Sequence, residues 1–236
     1  MRLKALDLGG RLAVTLFAAT LLGALATAEL LIVYSLGGTM SIDQVKAKYT
    51  GSLLVSAMRG SMYKHVTEDE SIAKVERWIA AGATEAGYAE KGVADVMDED
   101  CTNCHSKGST MSEAMPSMPL TTFEEVAEVA APGLPAGKLL MQLHVHAFAL
   151  GTILLVLALI FCAADIAPVW KVLLPVVGFV GLWLDTAGWV FGAFGDWAAW
   201  FIVVGGGLLA AAIAAMAAVV LLDCWMKVPV IGRDPV

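Results

Sequence analysis

Cys101-Thr102-Asn103-Cys104-His105 is the stretch of this chain in which thiols and an imidazole stand at a spacing with a specific chemistry. Two thiols three positions apart on one turn can each add across a vinyl group of a haem. The histidine that follows directly then ligates the iron through a ring nitrogen. A redox dithiol, a disulfide or half of a zinc site would use the same residue types. A redox dithiol of the thioredoxin kind calls for a surrounding βαβ pattern, and zinc calls for a second Cys/His pair at ligand spacing. The sequence offers neither, because Cys162 and Cys224 lie far away in apolar runs. One covalent haem c, attached at Cys101 and Cys104 with His105 as proximal iron ligand, is the expected cofactor.

The sixth iron ligand has several candidates. Met62 precedes the motif, and Met111, Met115 and Met118 follow it in a Ser/Pro/Met loop. His65 or His144 would instead give a bis-histidine haem. The choice bears on function, since methionine ligation raises the potential and a second histidine lowers it.

The elements that position these groups belong to a membrane protein. Of 236 residues, 58% are hydrophobic, and the mean hydropathy is +0.75, too apolar for an ordinary soluble domain. Uncharged runs cover Leu12 to Ala28 (continuing past Glu29 to Leu36), Ala147 to Ala164, Val172 to Gly195 with only Asp185 inside, and Trp197 to Leu222. Each approaches the ~20 residues that cross a bilayer as a helix. The expectation is an all-α protein with an N-terminal transmembrane helix (1–36), a small helical extracytoplasmic c-type domain (37–142), a three-helix transmembrane bundle (143–226) and a short cytoplasmic tail (227–236). Arg2, Lys4, Arg11, Lys171, Lys227 and Arg233 all fall on one side if the chain starts inside and crosses four times. The haem segment is then outside, in the periplasm of a bacterium. Ala26-Thr27-Ala28 has the form of a signal-peptidase site, but the apolar run continues through Tyr34, so the first helix is expected to be retained.

Within the inserted segment, Ser41-Ile42-Asp43 opens a short helix. Thr67 with Glu70 reads as a capping box, and Ile72, Val75, Trp78 and Ile79 predict a helix over 68–81 that Gly82 ends. A further helix over Glu85 to Met97, with Val93 and Val96 inward, delivers the chain to Cys101. Thr121 and Thr122 with Glu124 and Glu125 predict another helix through Val129, which Pro132-Gly133-Leu134-Pro135 breaks. Between residues 37 and 142 stand 15 acidic and 9 basic side chains, a solvated acidic surface or one that steers a basic redox partner.

The haem motif, the Gly-Ser-Met ending at Met62 and the T-x-x-E…I-x-x-x-x-R-W-I-x-x-G-A pattern over 67–83 together resemble the class I cytochrome c fold. The order is unusual, since the segment up to Ala83 looks like that family's closing helix moved to the front. Over residues 55–130 the resemblance implies a circularly permuted cytochrome c domain with Met62 as the sixth ligand. The whole layout is similar to that of bacterial proteins in which a c-type domain is inserted between membrane helices.

Two apolar runs carry ionisable groups. Asp185 lies 13 residues along its run from Val172, roughly 20 Å at the helical rise. It shares a face with Gly181, Gly188 and Gly192, the small-residue stripe of a packed helix interface. An intramembrane carboxylate is by default a functional candidate. Glu29, with His146 or His144, is expected at a comparable outer depth. Together they would form a quinol site in which bases take the hydroxyl protons as electrons leave; a structural Asp–His pair is the plainer alternative. Cys162 and Cys224 read as small buried residues.

Three function classes follow: an electron carrier or subunit of a respiratory or photosynthetic complex, a quinol:cytochrome c oxidoreductase, and a haem-based sensor or assembly factor. The expected partners are the lipid bilayer and either a larger membrane redox complex or a soluble periplasmic electron carrier, with a quinone for the second class. No nucleic acid is expected.

Overall fold

The computed structural model describes residues 2–36, 38 and 40–226. They form helices α1 (Leu8–Ser35), α2 (Ile42–Tyr49), α3 (Leu53–Arg59), α4 (Asp69–Ala80), α5 (Glu85–Glu90), α6 (Val93–Val96), α7 (Phe123–Ala130), α8 (Ala136–Cys162), α9 (Pro168–Phe191) and α10 (Ala198–Trp225). No strand occurs among the described residues. The chain divides into two compact units. One comprises residues 1–39, 140–188 and 200–236, the other residues 40–139 and 189–199. The tail expected over 227–236 lies outside the described residues.

In the first unit, α1, α8, α9 and α10 are each long and apolar enough to cross a membrane. Helix α8 begins at Ala136, eleven residues before the uncharged run. Lys138 and the two histidines interrupt the apolar pattern but not the helix, so His144 and His146 lie two to three turns inside it. Leu154, Leu157, Phe161, Leu182, Ile213, Met216 and Val220 form the core. Helices α9 and α10 approach backbone to backbone. A Cβ on Gly181 would come within 2.6 Å of the Leu209 nitrogen and 2.8 Å of the Gly205 carbonyl, so only hydrogen fits.

One end of this unit is tied by its N-terminal turn. Leu3 is buried and its N–H donates to the Ala163 carbonyl at 3.2 Å. Lys4 Nζ stands 3.0 Å from Asp223 Oδ1, whose side chain is fully buried. The other carboxylate oxygen accepts from the Asp165 N–H at 3.1 Å, while Oδ1 has no aligned hydrogen bond and is left to the Lys4 charge. Trp225 Nε1–H donates to Thr15 Oγ1 at 2.8 Å, and Lys171 Nζ donates to the Cys162 carbonyl at 2.9 Å. The start of α1 therefore meets the ends of α8 and α10, with Lys4, Arg11 and Lys171 at that end. Cys224 is buried as expected. Cys162 is exposed, since it occupies the last turn of α8 beside Lys171 and not the bundle interior.

In the second unit, Trp78 is fully buried at the centre of a core with Met58, Ile72, Val75, Val93, Met97 and Val126. Its indole N–H donates to the Thr84 carbonyl at 2.9 Å, and its ring meets Tyr88 and Phe123 at 5.6 and 6.4 Å between centroids. Capping boxes start α2 (Ser41 with Gln44) and α7 (Thr122 with Glu125). The expected box at Thr67 does not form. The cap position is Glu68, and Thr67 instead gives its N–H and hydroxyl to Asp100 Oδ1 at 3.1 and 2.6 Å. The single helix expected over Glu85 to Met97 is broken at Gly92, whose φ of +68° is in the left-handed region that glycine tolerates. Residues 189–199 close this unit. Thr50 donates to Asp196 Oδ1 at 3.0 Å, and Gly192 packs against the Tyr49 carbonyl.

Removing one partner of a buried ion pair strands the other charge. Lys4→Met is expected to destabilise the membrane unit by about 3 kcal/mol in detergent melting. The double variant Lys4→Met/Asp223→Leu should recover most of that loss, and a single variant as stable as the parent would show the pair to be idle.

Candidate functional site: the cysteine–histidine cavity

The chain enters the motif from a π-helical turn over Met97–Cys101. The turn tightens immediately: the N–H groups of Cys104 and His105 both donate to the Cys101 carbonyl, at 3.1 and 2.9 Å. Cys101, Cys104 and His105 thereby line one cavity of about 240 Å³ in the second unit. Its other walls are mostly apolar, drawn from Leu53, Leu54, Met58, Met62, Leu120 and Val129.

The loop after the motif folds back on it. The Met115 N–H donates to the Cys104 carbonyl at 2.9 Å, and the Leu120 N–H donates to the His105 carbonyl at 2.8 Å. Between these ties, His105 Nδ1 lies 2.8 Å from the Met118 carbonyl oxygen. A carbonyl can only accept, so Nδ1 carries the proton and the Nε2 lone pair is left for a ligand. Histidines that bind metals are commonly oriented in this way through their other nitrogen.

Burial pushes the Cys101 thiol up to about 11, with Asp100 and Cys104 adding to the effect. A thiol held neutral is a poor nucleophile, unlike the depressed thiols of redox dithiols. Among the described residues, no group of three or more His, Cys, Asp and Glu side chains is arranged to hold a metal ion. These residues do fit a porphyrin: one imidazole lone pair, two thiols on one wall, and apolar surroundings with thioethers close by.

The candidate sixth ligands are distributed unevenly. Met62, Met115, Met118 and His65 line the cavity, whereas Met111 is exposed with its sulfur 3.8 Å from Cys104 Sγ. The backbone of Met118 is committed to the side of His105 that faces away from the free nitrogen. His65 Nε2 is engaged with Glu113 Oε2 at 3.0 Å, and Lys64 Nζ reaches the same carboxylate at 3.0 Å. Lys64 first, and His65 second, hold the Glu113 carboxyl below the usual carboxylate range. This bridge joins the Tyr63–His65 turn to the loop after the motif. His144 belongs to the other unit. Sequence reasoning missed Met58, which is buried and lines the cavity four positions before Met62. The four-residue spacing was the available signal, but it reads equally as core.

The membrane candidates are not joined to one another by hydrogen bonds or ion pairs. Asp185 is half-buried with its Oδ1 toward Gly206, and Gly205 packs against its backbone. No hydrogen bond or ion pair joins it to Glu29, His144 or His146, so the expected Asp–His pair does not form as a direct contact. His146 Nδ1–H donates within its own helix to the Gln142 carbonyl at 3.1 Å, while His144 is exposed and Glu29 half-buried.

A family described as a transmembrane helical domain (Aq_1264_TM) matches residues 124–230, from the first turn of α7 through α10. Comparison with curated proteins and with solved structures found no match. With four helices of spanning length, the chain is a multi-pass membrane protein.

In protein made without cofactor attachment, Cys101 should alkylate at pH 8 about 100-fold more slowly than in the denatured chain, because a thiol shifted from 9 to about 11 holds that much less thiolate. The rate should climb only as the pH approaches 11. Labelling as fast as in denaturant would mark Cys101 as a reactive thiol and revive the dithiol reading.

Proposed function

We propose that this protein is a membrane-bound monohaem c-type cytochrome that carries electrons on the periplasmic side of a bacterial cytoplasmic membrane, as a subunit or partner of a larger redox complex. The observation that carries the reading is the convergence of Cys101, Cys104 and His105 on one apolar cavity, with the histidine tautomer already set for ligation. Cys101 and Cys104 would hold the haem covalently, and His105 Nε2 would bind its iron. Met62 is the preferred sixth ligand, because it lines the cavity and its backbone is not tied to the histidine's rear face. When bound, the haem supplies a one-electron ferric/ferrous couple. The protein's part is to exclude water with Leu53, Leu54, Leu120 and Val129, and to hold both ligands fixed so that oxidation and reduction require little rearrangement. The basic end of the membrane unit supports an orientation with that end in the cytoplasm.

The quinol-oxidising alternative centres on Asp185, a carboxylate with no hydrogen bond or ion pair among the described residues, at a glycine contact. Purified protein should show the alkaline pyridine spectrum of one covalent haem, lost in Cys101→Ala/Cys104→Ala. Met62→Ala should abolish the weak near-infrared band of sulfur-to-iron ligation while leaving the haem attached. Absence of covalent haem from the parent would overturn the assignment. Prompt reduction by a quinol that disappears in Asp185→Asn, with the haem spectrum unchanged, would establish the oxidoreductase instead.

A further inference from the structure

Met62 and His65 both line the cavity, and they belong to one short turn. Residues 63–65 form a 3-10 turn with Met62 at its N-cap, closed by the His65 N–H donating to the Met62 carbonyl at 2.9 Å. Side chains three positions apart in such a turn eclipse one another. A thioether and an imidazole are thereby offered from the same face. Imidazole suits iron better than a thioether does, so ligation by Met62 requires that His65 be withheld. Glu113, a third residue of the lining, supplies that restraint. His65 Nε2 lies 3.0 Å from Glu113 Oε2, and Lys64 Nζ donates to both carboxylate oxygens at 3.0 Å. An ionised carboxylate can only accept, so His65 Nε2 carries a proton and has no lone pair for a metal. His105 is set the opposite way, with Nδ1 protonated and Nε2 free. The turn has other anchors. The Met62 N–H donates to the Ala57 carbonyl at 2.9 Å, and the Tyr63 hydroxyl donates to Asp69 Oδ1 at 2.8 Å.

We propose that Glu113 selects the sixth iron ligand: its carboxylate keeps His65 Nε2–H engaged and so leaves the position to Met62. This rests on the haem reading above and deepens it. Glu113 is a positioning residue, since it touches the rejected ligand and not the iron. Lys64 shares the task by holding both carboxylate oxygens in place. The loop that carries Glu113 also carries the Met118 carbonyl that orients His105. One loop therefore frees Nε2 of the first histidine and blocks Nε2 of the second. The consequence is electrical, because a methionine ligand raises the potential of the haem and a second histidine lowers it.

The experiment uses the full-length haem protein as parent, Met62→Ala, Met62→Ala/Glu113→Ala and Met62→Ala/Glu113→Ala/His65→Phe. Haem content comes first. A parent without covalent haem overturns the haem reading itself, whereas full haem in every protein puts the ligand selection alone under test. A haem-loaded parent with two imidazole ligands in place of the sulfur-to-iron band overturns the proposal. Met62→Ala opens the sixth position, and imidazole is then titrated into the ferric protein. With Glu113 present, His65 stays held and imidazole binds the open iron. Removing Glu113 in that background is expected to weaken imidazole binding roughly fivefold, the factor that one exposed, charge-assisted contact supports, because the freed His65 competes from within. His65→Phe should restore the affinity, a recovery that a general loosening of the loop would not give. Equal imidazole affinities with and without Glu113, or no recovery with His65→Phe, would overturn the proposal. So would a bis-imidazole spectrum in Met62→Ala before any imidazole is added, since His65 would then leave Glu113 unaided.

Discussion

The N–H···O bond from His105 Nδ1 to the Met118 carbonyl is the constraint around which the second unit is arranged. It decides which imidazole nitrogen keeps a lone pair, and so makes a flexible side chain a directed donor. It holds the ring only because the accepting carbonyl is itself immobile. The Leu120 N–H is tied to the His105 carbonyl, and the Met115 N–H to that of Cys104, so the loop is fastened on both sides of the accepting residue. The apolar walls act with this frame. Leu120 serves in both, as a backbone tie to the histidine and as part of the cavity lining. A loop rich in Ser, Pro and Met, which carries little secondary structure of its own, becomes the support for the chemistry.

The membrane unit depends on a different economy, the close approach of α9 and α10. Lipid gives apolar helices little reason to prefer one another, so association rests on contact at short range. Glycines at 181 and 205 let two backbones meet, and Gly178 admits Leu154 from α8 and Ala212 from α10. Asp185 sits in this seam one turn beyond Gly181. Helix α1 has little buried surface of its own and is secured at its end through Leu3, Lys4 and Thr15.

Much of this was legible in the sequence where the signal is local. The four apolar runs became four long helices, Gly82 ended α4, and Thr122 with Glu125 capped α7, because hydropathy and caps depend on neighbours along the chain. Errors arose where a distant residue competed for the same group. Thr67 has the right spacing for a capping box, yet Asp100 takes its hydroxyl, a partner 33 positions away. Helix α8 starts early because Leu139, Leu140 and Leu143 continue the apolar character across a lysine and a histidine that a count of uncharged residues treats as breaks. In the site, the C-x-x-C-H motif is a pattern of five adjacent residues and could be read directly. The place of Met58 on the cavity wall, for which the four-residue spacing reads equally as core, and the capture of His65 by Glu113 are facts of tertiary packing that one sequence does not decide.

The second unit is not a continuous piece of chain. Residues 189–199 complete it through Thr50, Gly133 and Gly192, although roughly 50 residues and two membrane helices separate them from Leu139. A ribosome adding about 5–20 residues per second needs several seconds to make that stretch. During this interval the newly made motif segment stays without its last tie, held open by the order of synthesis, and the insertion of α8 and α9 sets the time at which it can close.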